Sequence, residues 1–466
     1  MSQKSIISNI IIEMTTPLNV GSSDIDFLLD SPVQRDWNGL PMILGSSISG
    51  AIRSKFIKNE AIYSLFGDDI EEQRQIYKDR SKSEIEQNAK GSRIVISNAL
   101  LCDENMQVCE ELLLENKSEF LNYFRELPVR DHSRINDKGV VENSGKFDEE
   151  IVFKGSRFKF RIEIFGTEEN LKDELRDIIF ILQSETFRLG GGATKGFGAV
   201  KVLDELSSWQ EFDINSDEYR STSSSLNCSL KNSLDELQIS KLSVFGSDTK
   251  KLNRYTLKLK PDDFFMFGSG FGDSQADMTP VKEHIVCYDG GKGAIKESLT
   301  LLPASSIKGA ILHRSIYHLN LLDSKFIGDS DTHNSLISIF GTQKGNKDFL
   351  DGKKGKILMS DLFIEVDDER VFEHVAIDRF RGGAKDGALF QEKTSIHNKS
   401  ISLDILVYDD IDSKEQKAFE NALNDICNGM LPLGGATTKG HGFFSGKVFK
   451  NGKDITQKGF VHDTKE

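Results

Sequence analysis

Apolar residues recur along the chain either at every second position or at every third or fourth position. Segments with these two spacings follow one another in the same order in the first and second halves of the chain. Runs that are apolar-rich or that alternate with period two predict strands. The predicted strands are, in pairs from the two halves, residues 6–14 and 255–259, 94–101 and 357–364, 158–165 and 401–407, and 199–202 and 443–448.

Two helices are predicted in each half from apolar residues spaced three or four positions apart. The first follows a Ser-Ser pair: Ile48, Ile52 and Phe56 recur at every fourth position, with Ser46 or Ser47 as the expected N-cap. The later helices have the stripes Leu171, Leu175, Ile178 and Leu182, and Phe419, Leu423, Ile426 and Met430. Each half then has the order β-α-β-β-α-β. The expected fold class is therefore α+β, with two tandem ferredoxin-like domains.

Local sequence matches in the same order indicate a tandem duplication. Residues 190–198 read GGGATKGFG and residues 434–442 read GGATTKGHG, with six of nine positions identical at a separation of 244 residues. The helix starts also match, because residues 46–52 read SSISGAI and residues 305–311 read SSIKGAI.

The boundary between the repeats is expected within residues 205–250, which include the serine-rich run 221–225. The expected domains are residues 1–204 and 251–466, with 205–250 as a linker or extended loop. An ordered loop of the first domain is the alternative. Polar insertions of the kind that are usually functional or disordered interrupt the domains at residues 15–45, 125–155, 261–300 and 378–400.

Composition narrows the function classes. The chain has 466 residues with 59 basic and 73 acidic side chains, a net charge of −14, which at first argues against a nucleic-acid binder. No apolar run approaches the ~20 residues of a membrane span, and no secretory signal is evident, so we expect a cytoplasmic protein without a membrane partner. The five cysteines are scattered without a CxxC pair, which makes a zinc site or a disulfide framework improbable.

The glycine loops are the first candidate binding sites. Successive glycines let a backbone approach a ligand closely and direct N–H groups toward an anion. Lys195 and Lys439 add charge, and Thr194 and Thr438 add hydroxyl donors, which suits a phosphodiester backbone. The lysine position differs from that of a Walker A loop. A tight helix-to-strand turn capped by glycine is the alternative.

Two further features have candidate chemistry. A helix that begins with Ser-Ser offers free N–H groups and hydroxyls to a phosphate, although ordinary capping is the alternative. Asp30 precedes Ser-Pro in the insertion after the first strand, where its carboxylate is suited to a divalent metal or to proton transfer, or else to a plain turn. Asp277 stands at a similar place in the second half, with one extra residue before the proline.

Residues 40–53 (LPMILGSSISGAIR) resemble the PxIPGSSLKGALR signature of the RAMP superfamily of CRISPR proteins, and residues 302–310 (LPASSIKGA) resemble it as well. Both glycine loops are also similar to the hallmark of that superfamily. The segment around Asp30 and the arm at 378–390 look most like the repeating backbone subunit of type III effector complexes, and two fused copies suggest the III-D branch.

The resemblance implies modified RRM-like domains with protruding thumbs that bind guide RNA and kink the guide–target duplex. It implies target RNA cleavage at Asp30 with a divalent metal such as Mg²⁺ or Mn²⁺, and Asp277, whose spacing to the proline is shifted by one residue, is the second candidate. The implied partners are guide RNA, target RNA and other effector subunits, including the large signalling subunit. A guide-processing endoribonuclease and a non-catalytic RNA-binding scaffold are the alternatives.

Basic, hydroxyl, glycine and ring positions in six segments are expected to contact RNA. They are Ser46, Ser47, Ser49 and Arg53; Arg130 and Arg134; Gly191, Gly192, Thr194, Lys195, Gly196 and Phe197; Ser305, Ser306, Lys308 and Arg314; Arg379, Arg381 and Lys385; and Gly434, Gly435, Thr438, Lys439 and His441. Either Phe197 or His441, which occupy matching loop positions, is suited to stack on a base.

Overall fold

The computed structural model of the protein is α+β and rich in strands. The residues it describes are 3–22, 29–56, 64–68, 89–113, 118–136, 140–167, 170–224, 230, 237–239, 252–326, 336–342 and 352–457. Each half contributes one large antiparallel sheet and one main hydrophobic cluster.

The first sheet is built around the long apolar strand β1 (Lys4–Met14), which pairs with β7 (Arg157–Gly166) on one side. On the other side β1 pairs with β8 (Val200–Val202) and with β9 (Ser208–Asp213). The remaining strands of this sheet are β2 (Met42–Ile43), β3 (Ile94–Ile96), β4 (Ala99–Leu101) and β10 (Leu237–Gln238). The predicted strand at 94–101 is therefore two short strands, and both pair with β7.

The second sheet repeats this order around β11 (Leu252–Pro261), which pairs with β20 (Ile401–Tyr408) and β21 (Phe444–Lys450). The outer strands are β16 (Ile357–Met359) and β22 (Lys453–Asp454). In both halves the last predicted strand lies beside the first, followed by the third and then the second.

Seven α-helices occur in the described residues: α1 (Gly45–Arg53), α2 (Glu119–Asn122), α3 (Leu171–Gln183), α4 (Asp217–Ser224), α5 (Ala304–Leu322), α6 (Ile337–Phe340) and α7 (Ser413–Cys427). Helix α3 buries the whole predicted stripe, whereas α7 ends before Met430. Helix α1 begins one residue before the predicted cap: Leu44 is the N-cap, without a side-chain hydrogen bond, and Ser46 and Ser47 lie exposed in the first turn.

Hairpins with their own strand pairs occur at the predicted insertions 125–155 and 378–400. The first hairpin pairs β5 (Val129–Ile135) with β6 (Val141–Glu150), and the second hairpin pairs β18 (Asp368–Ile377) with β19 (Ala384–Ile396). Two smaller sheets consist of β12 (Lys282–Asp289), β13 (Lys292–Leu302) and β17 (Leu362–Ile364), and of β14 (Gly341–Thr342) and β15 (Lys353–Lys354).

Residues 205–224 include a strand and a helix, where a linker or extended loop was expected. Strand β9 adds directly to β1, with Trp209 and Phe212 buried, and α4 follows it as a helix. Residues 208–213 therefore belong to the first sheet, and residues 217–224 are helical. Residues 225–229, 231–236 and 240–250 lie outside the described residues.

The halves meet at a buried ion cluster. Arg130 of β5 donates from Nε and Nη2 to Glu283 of β12, at 2.5 and 2.7 Å, and from Nη1 to Asp361 at 2.6 Å. All three residues are buried. Asp361 also accepts the N–H of Ala304 at 2.7 Å, so the cluster fixes the start of α5 against the first hairpin. No helix among the described residues has the length and apolar content to cross a membrane.

Candidate functional site

The first glycine loop and the start of α5 form one site that spans the two halves. Lys308, the fifth residue of α5, donates from Nζ to Thr194 Oγ1 at 3.2 Å. Burial, and then the nearby charge of Lys195, lower the pKa of Lys308 to about 8. Two lysines from different halves thus lie close together, as expected of a site that receives an anion.

Glycine is required where this loop meets the helix. Gly196 has φ of 110°, and a Cβ there would lie 2.7 Å from Asp361 Oδ1 and 2.8 Å from Ala304 Cβ. The loop therefore packs directly on the helix start. Ser305 beside it is half-buried and Ser306 is exposed. The amides of Ala304 and Ser306 already donate to Asp361 Oδ1 and to the Pro303 carbonyl, so the serine hydroxyls are what this helix start offers beside Lys308.

The second glycine loop and the start of α1 are exposed instead. A Cβ added to Gly440, the counterpart of Gly196, would meet nothing within 4 Å. Thr438 and Lys439 are exposed in the second loop, and Ser46 and Ser47 are exposed at α1. The structure thus joins only one loop to one helix start among the four predicted motifs.

The two loop lysines also contact the hairpins. Lys195 Nζ lies 2.6 Å from Glu149 Oε1, and Lys439 Nζ lies 2.6 Å from Glu392 Oε2. Burial opposes the ionisation of Glu149, but hydrogen bonds from His132 and Lys195 outweigh it and lower its pKa to about 2. Each loop is therefore tied to the base of a hairpin by a charged pair.

Asp30 and Asp277 occupy equivalent positions despite their different spacing from the proline. The Asp30 N–H donates to Asp148 Oδ1 at 2.8 Å, and the Asp148 N–H donates to Asp30 Oδ2 at 3.1 Å. In the second half the Asp277 N–H donates to the Gln391 carbonyl at 2.9 Å, and the Gln391 N–H donates to Asp277 Oδ2 at 2.8 Å. Both aspartates are exposed beside a hairpin strand.

The sites around Asp30 and Asp277, called here the first and second centres, differ in the number of carboxylates. Asp148 brings a second carboxylate to Asp30, where Gln391 stands beside Asp277. No group of three or more His, Cys, Asp or Glu side chains in the described part of the chain is arranged to hold a metal. A Mg²⁺ ion with one or two carboxylates usually completes its shell with water and substrate phosphate, and the Asp30–Asp148 pair fits that pattern.

Three of the predicted RNA contacts are buried in the structure. Arg130 is enclosed by Glu283 and Asp361, so its guanidinium is not available to a phosphate. Phe197 is fully buried and His441 is 8% exposed, because each ring packs beneath its own loop; neither can stack on a base there.

Other predicted basic residues divide into paired and exposed groups. Arg314 forms an ion pair with Asp425, which links α5 to α7 and removes it from the helix start. Arg134 lies 2.9 Å from Glu142 across the first hairpin. At the tip of the second hairpin, by contrast, Arg379, Arg381 and Lys385 are exposed around the fully exposed ring of Phe380.

The family model of the RAMP superfamily matches residues 11–201 and 296–445, which is most of the chain and falls on both halves. The chain belongs to the RAMP superfamily. It is 26% identical over 204 residues to the CRISPR system Cms endoribonuclease Csm3 of Enterococcus italicus, covering 42% of this chain and 88% of that protein. It is 27% identical over 210 residues to the protein of the same name from Methanocaldococcus jannaschii, covering 42% of this chain and 77% of that protein.

Several residues that shape this RAMP site were not identified from the sequence. Glu149, Glu392 and Asp148 lie on hairpin strands far along the chain from the loops they contact, so no local motif marks them. Aligning the halves would have provided a signal, since Glu149 and Glu392 are separated by 243 residues and the loop lysines by 244.

Proposed function

We propose that this RAMP protein is a backbone subunit of a type III CRISPR effector ribonucleoprotein that binds guide RNA and cleaves complementary target RNA. The observation that carries the proposal is the joint site of Thr194, Lys195 and Lys308 at the start of α5. Two RAMP regions in one chain, and the names of the two Csm3 relatives, support it. Under this proposal each half is a ferredoxin-like domain, which agrees with the repeated strand order.

The guide backbone would lie along the loops and helix starts of both halves. Backbone amides, helix N-termini and a few lysines would hold its phosphates, so a net charge of −14 is no obstacle. The exposed tip of the second hairpin, with Phe380 among basic residues, is suited to wedge between bases of a guide–target duplex. Other effector subunits, including the large signalling subunit, would cover the remaining acidic surface.

Target cleavage is assigned to Asp30, with Asp277 as a second candidate. The ribose 2′-oxygen would lose its proton and attack the adjacent phosphorus, and the P–O5′ bond would break as the 5′-oxygen takes up a proton. The products would be a 2′,3′-cyclic phosphate and a 5′-hydroxyl. Mg²⁺ or Mn²⁺ held by Asp30 and Asp148 would stabilise charge on the phosphate. Gln391 in place of Asp148 favours a weaker or purely scaffolding second centre.

The test is D30N in the complex reconstituted with guide RNA and divalent metal. We expect target cuts at one position to disappear while cuts at other positions and guide binding persist. D217N, on the exposed helix α4, is the matched control and leaves all cuts in place. An unchanged cleavage pattern with D30N would refute the catalytic assignment.

The identity of the bound RNA tests the class itself. RNA that co-purifies with the chain should contain CRISPR-repeat sequence at one end. Specific cleavage of precursor repeat RNA by the isolated protein would instead support the guide-processing alternative.

A further inference from the structure

Each hairpin is joined to a glycine loop by the same four side chains. The first lysine cluster consists of His132, Phe147, Glu149 and Lys195, and the second lysine cluster of His374, Phe390, Glu392 and Lys439. In each, a histidine and a phenylalanine face each other across the hairpin, and a glutamate two residues after the phenylalanine reaches the loop lysine.

The geometry of the first lysine cluster holds the ammonium from two sides. Lys195 Nζ is 2.6 Å from Glu149 Oε1 and 4.5 Å from the centre of the Phe147 ring. His132 stacks on the Phe147 ring, with the two ring centres 5.0 Å apart. Its Nε2 lies 3.1 Å from Glu149 Oε2.

The second lysine cluster has nearly the same dimensions. Lys439 Nζ is 2.6 Å from Glu392 Oε2 and 4.4 Å from the Phe390 ring centre. His374 stacks on Phe390 at 4.9 Å, and its Nε2 is 3.0 Å from Glu392 Oε1. His441 also lies 3.0 Å from that oxygen, so the fully buried Glu392 carboxylate has three nitrogen partners.

The arrangement recurs although the strands around it differ. The phenylalanine follows the histidine by 15 residues in the first hairpin and by 16 in the second. Arg130, which faces Glu149, is replaced by Phe372, which faces Glu392, and Asp148 is replaced by Gln391. The repeated feature is therefore the geometry around the lysine rather than the hairpin sequence as a whole.

We propose that Glu149 and Glu392 are positioning residues that hold the loop lysines in the orientation in which they bind an RNA phosphate; the inference rests on the proposed guide binding. A lysine side chain loses much rotamer freedom on binding, and a carboxylate and a ring that already fix it reduce that loss. Lys195 and Lys439 keep 30% and 33% of their side-chain surface exposed, which leaves room for a phosphate. Each glutamate also connects the loop to its hairpin.

Simple electrostatics makes the opposite prediction, which allows a decisive test. E149Q removes a negative charge beside the loop, so an unpositioned lysine should bind RNA equally well or more tightly. Positioning predicts weaker binding instead. We expect about three- to tenfold weaker binding of a fluorescein-labelled single-stranded RNA of about 40 nucleotides, measured by anisotropy on the full chain at about 0.15 M salt.

E211Q is the matched control. Glu211 also accepts from two lysines, Lys4 and Lys172, but on β9 rather than at a glycine loop. E211Q makes the same change in net charge, and we expect it to leave RNA affinity within about twofold of the wild type. Tighter or unchanged binding by E149Q would overturn the inference.

A double-mutant cycle shows whether Glu149 acts through Lys195. We expect E149Q to have no further effect on affinity in a K195Q background, whereas additive losses would contradict positioning. E392Q with K439Q repeats the cycle in the second half. Should E149Q fail to fold, E149D keeps the charge, and positioning predicts weakened binding for it as well.

The lysine variants separate this inference from the proposed function. If K195Q and K439Q bind RNA as tightly as the wild type, guide binding at the loops is refuted. If they weaken binding while E149Q and E392Q do not, only the positioning role is refuted.

Discussion

Replacing Arg130 with alanine should destabilise the contact between the two halves. The guanidinium makes three hydrogen bonds to Glu283 and Asp361, and the side chains of all three residues are at most 5% exposed. R130A would leave two carboxylates buried without their counter-charge. Breaking a buried ion pair on one side costs about 3–5 kcal/mol, so we expect a loss of that size in the free energy of unfolding.

The matched control is R254A. Arg254 also bridges the halves, at 2.5 and 2.6 Å from the two carboxylate oxygens of Glu185, but the two side chains are 43% and 61% exposed. An exposed pair contributes about 0–1 kcal/mol, so R254A should have little effect.

Urea unfolding of the full chain, followed by circular dichroism, compares the two variants. With a denaturant slope of about 3 kcal/mol/M, R130A should lower the midpoint by on the order of 1 M and R254A by at most about 0.3 M. Hydrogen exchange at the Ala304 amide, which donates to Asp361, should accelerate in R130A. Equal midpoint shifts for the two variants would refute the reasoning from burial.

Three further outcomes are expected. RNA affinity should fall as pH rises through about 8, where Lys308 loses its charge, and K308R should flatten an anisotropy titration across that range; identical profiles would contradict this. Q391D should lower the Mg²⁺ concentration needed for cleavage at the second centre, because it pairs Asp277 with a carboxylate; a metal titration without change would argue against it. F380A should change thermal stability by less than about 0.5 kcal/mol while weakening guide–target duplex binding; equal duplex affinity would exclude the wedge.

The regular elements were accessible from the sequence because burial imposes a period on them. Strand β7 alternates with period two along residues 157–166, and α3 presents its apolar stripe to the core, so both were predicted within two residues. The cap of α1 was misplaced because the Ser-Ser pair has strong cap propensity, although backbone geometry assigns the cap to Leu44.

The long-range contacts could not be read from local patterns. Arg130 looked like a phosphate ligand because nothing near it in sequence indicates Glu283 or Asp361, which lie 153 and 231 residues away. Strand β9 was missed because its polar residues and the serines that follow resemble a linker, and only pairing with β1 orders it. The glycine loops were located, but their rings were assigned to stacking when they belong to the interior.

The joint between the halves has a consequence for symmetry. It is a heterologous contact, in which unlike surfaces meet, and such contacts propagate into open assemblies when the partners are identical. The surfaces that two copies would bring together end to end differ from those that meet between the halves. Asn98, which accepts the Gly45 N–H at 2.9 Å, takes the position at α1 that Asp361 has at α5. Phe372 takes the position in the second hairpin that Arg130 has in the first. Two copies of the chain placed end to end would therefore lack this ion cluster at the contact between them.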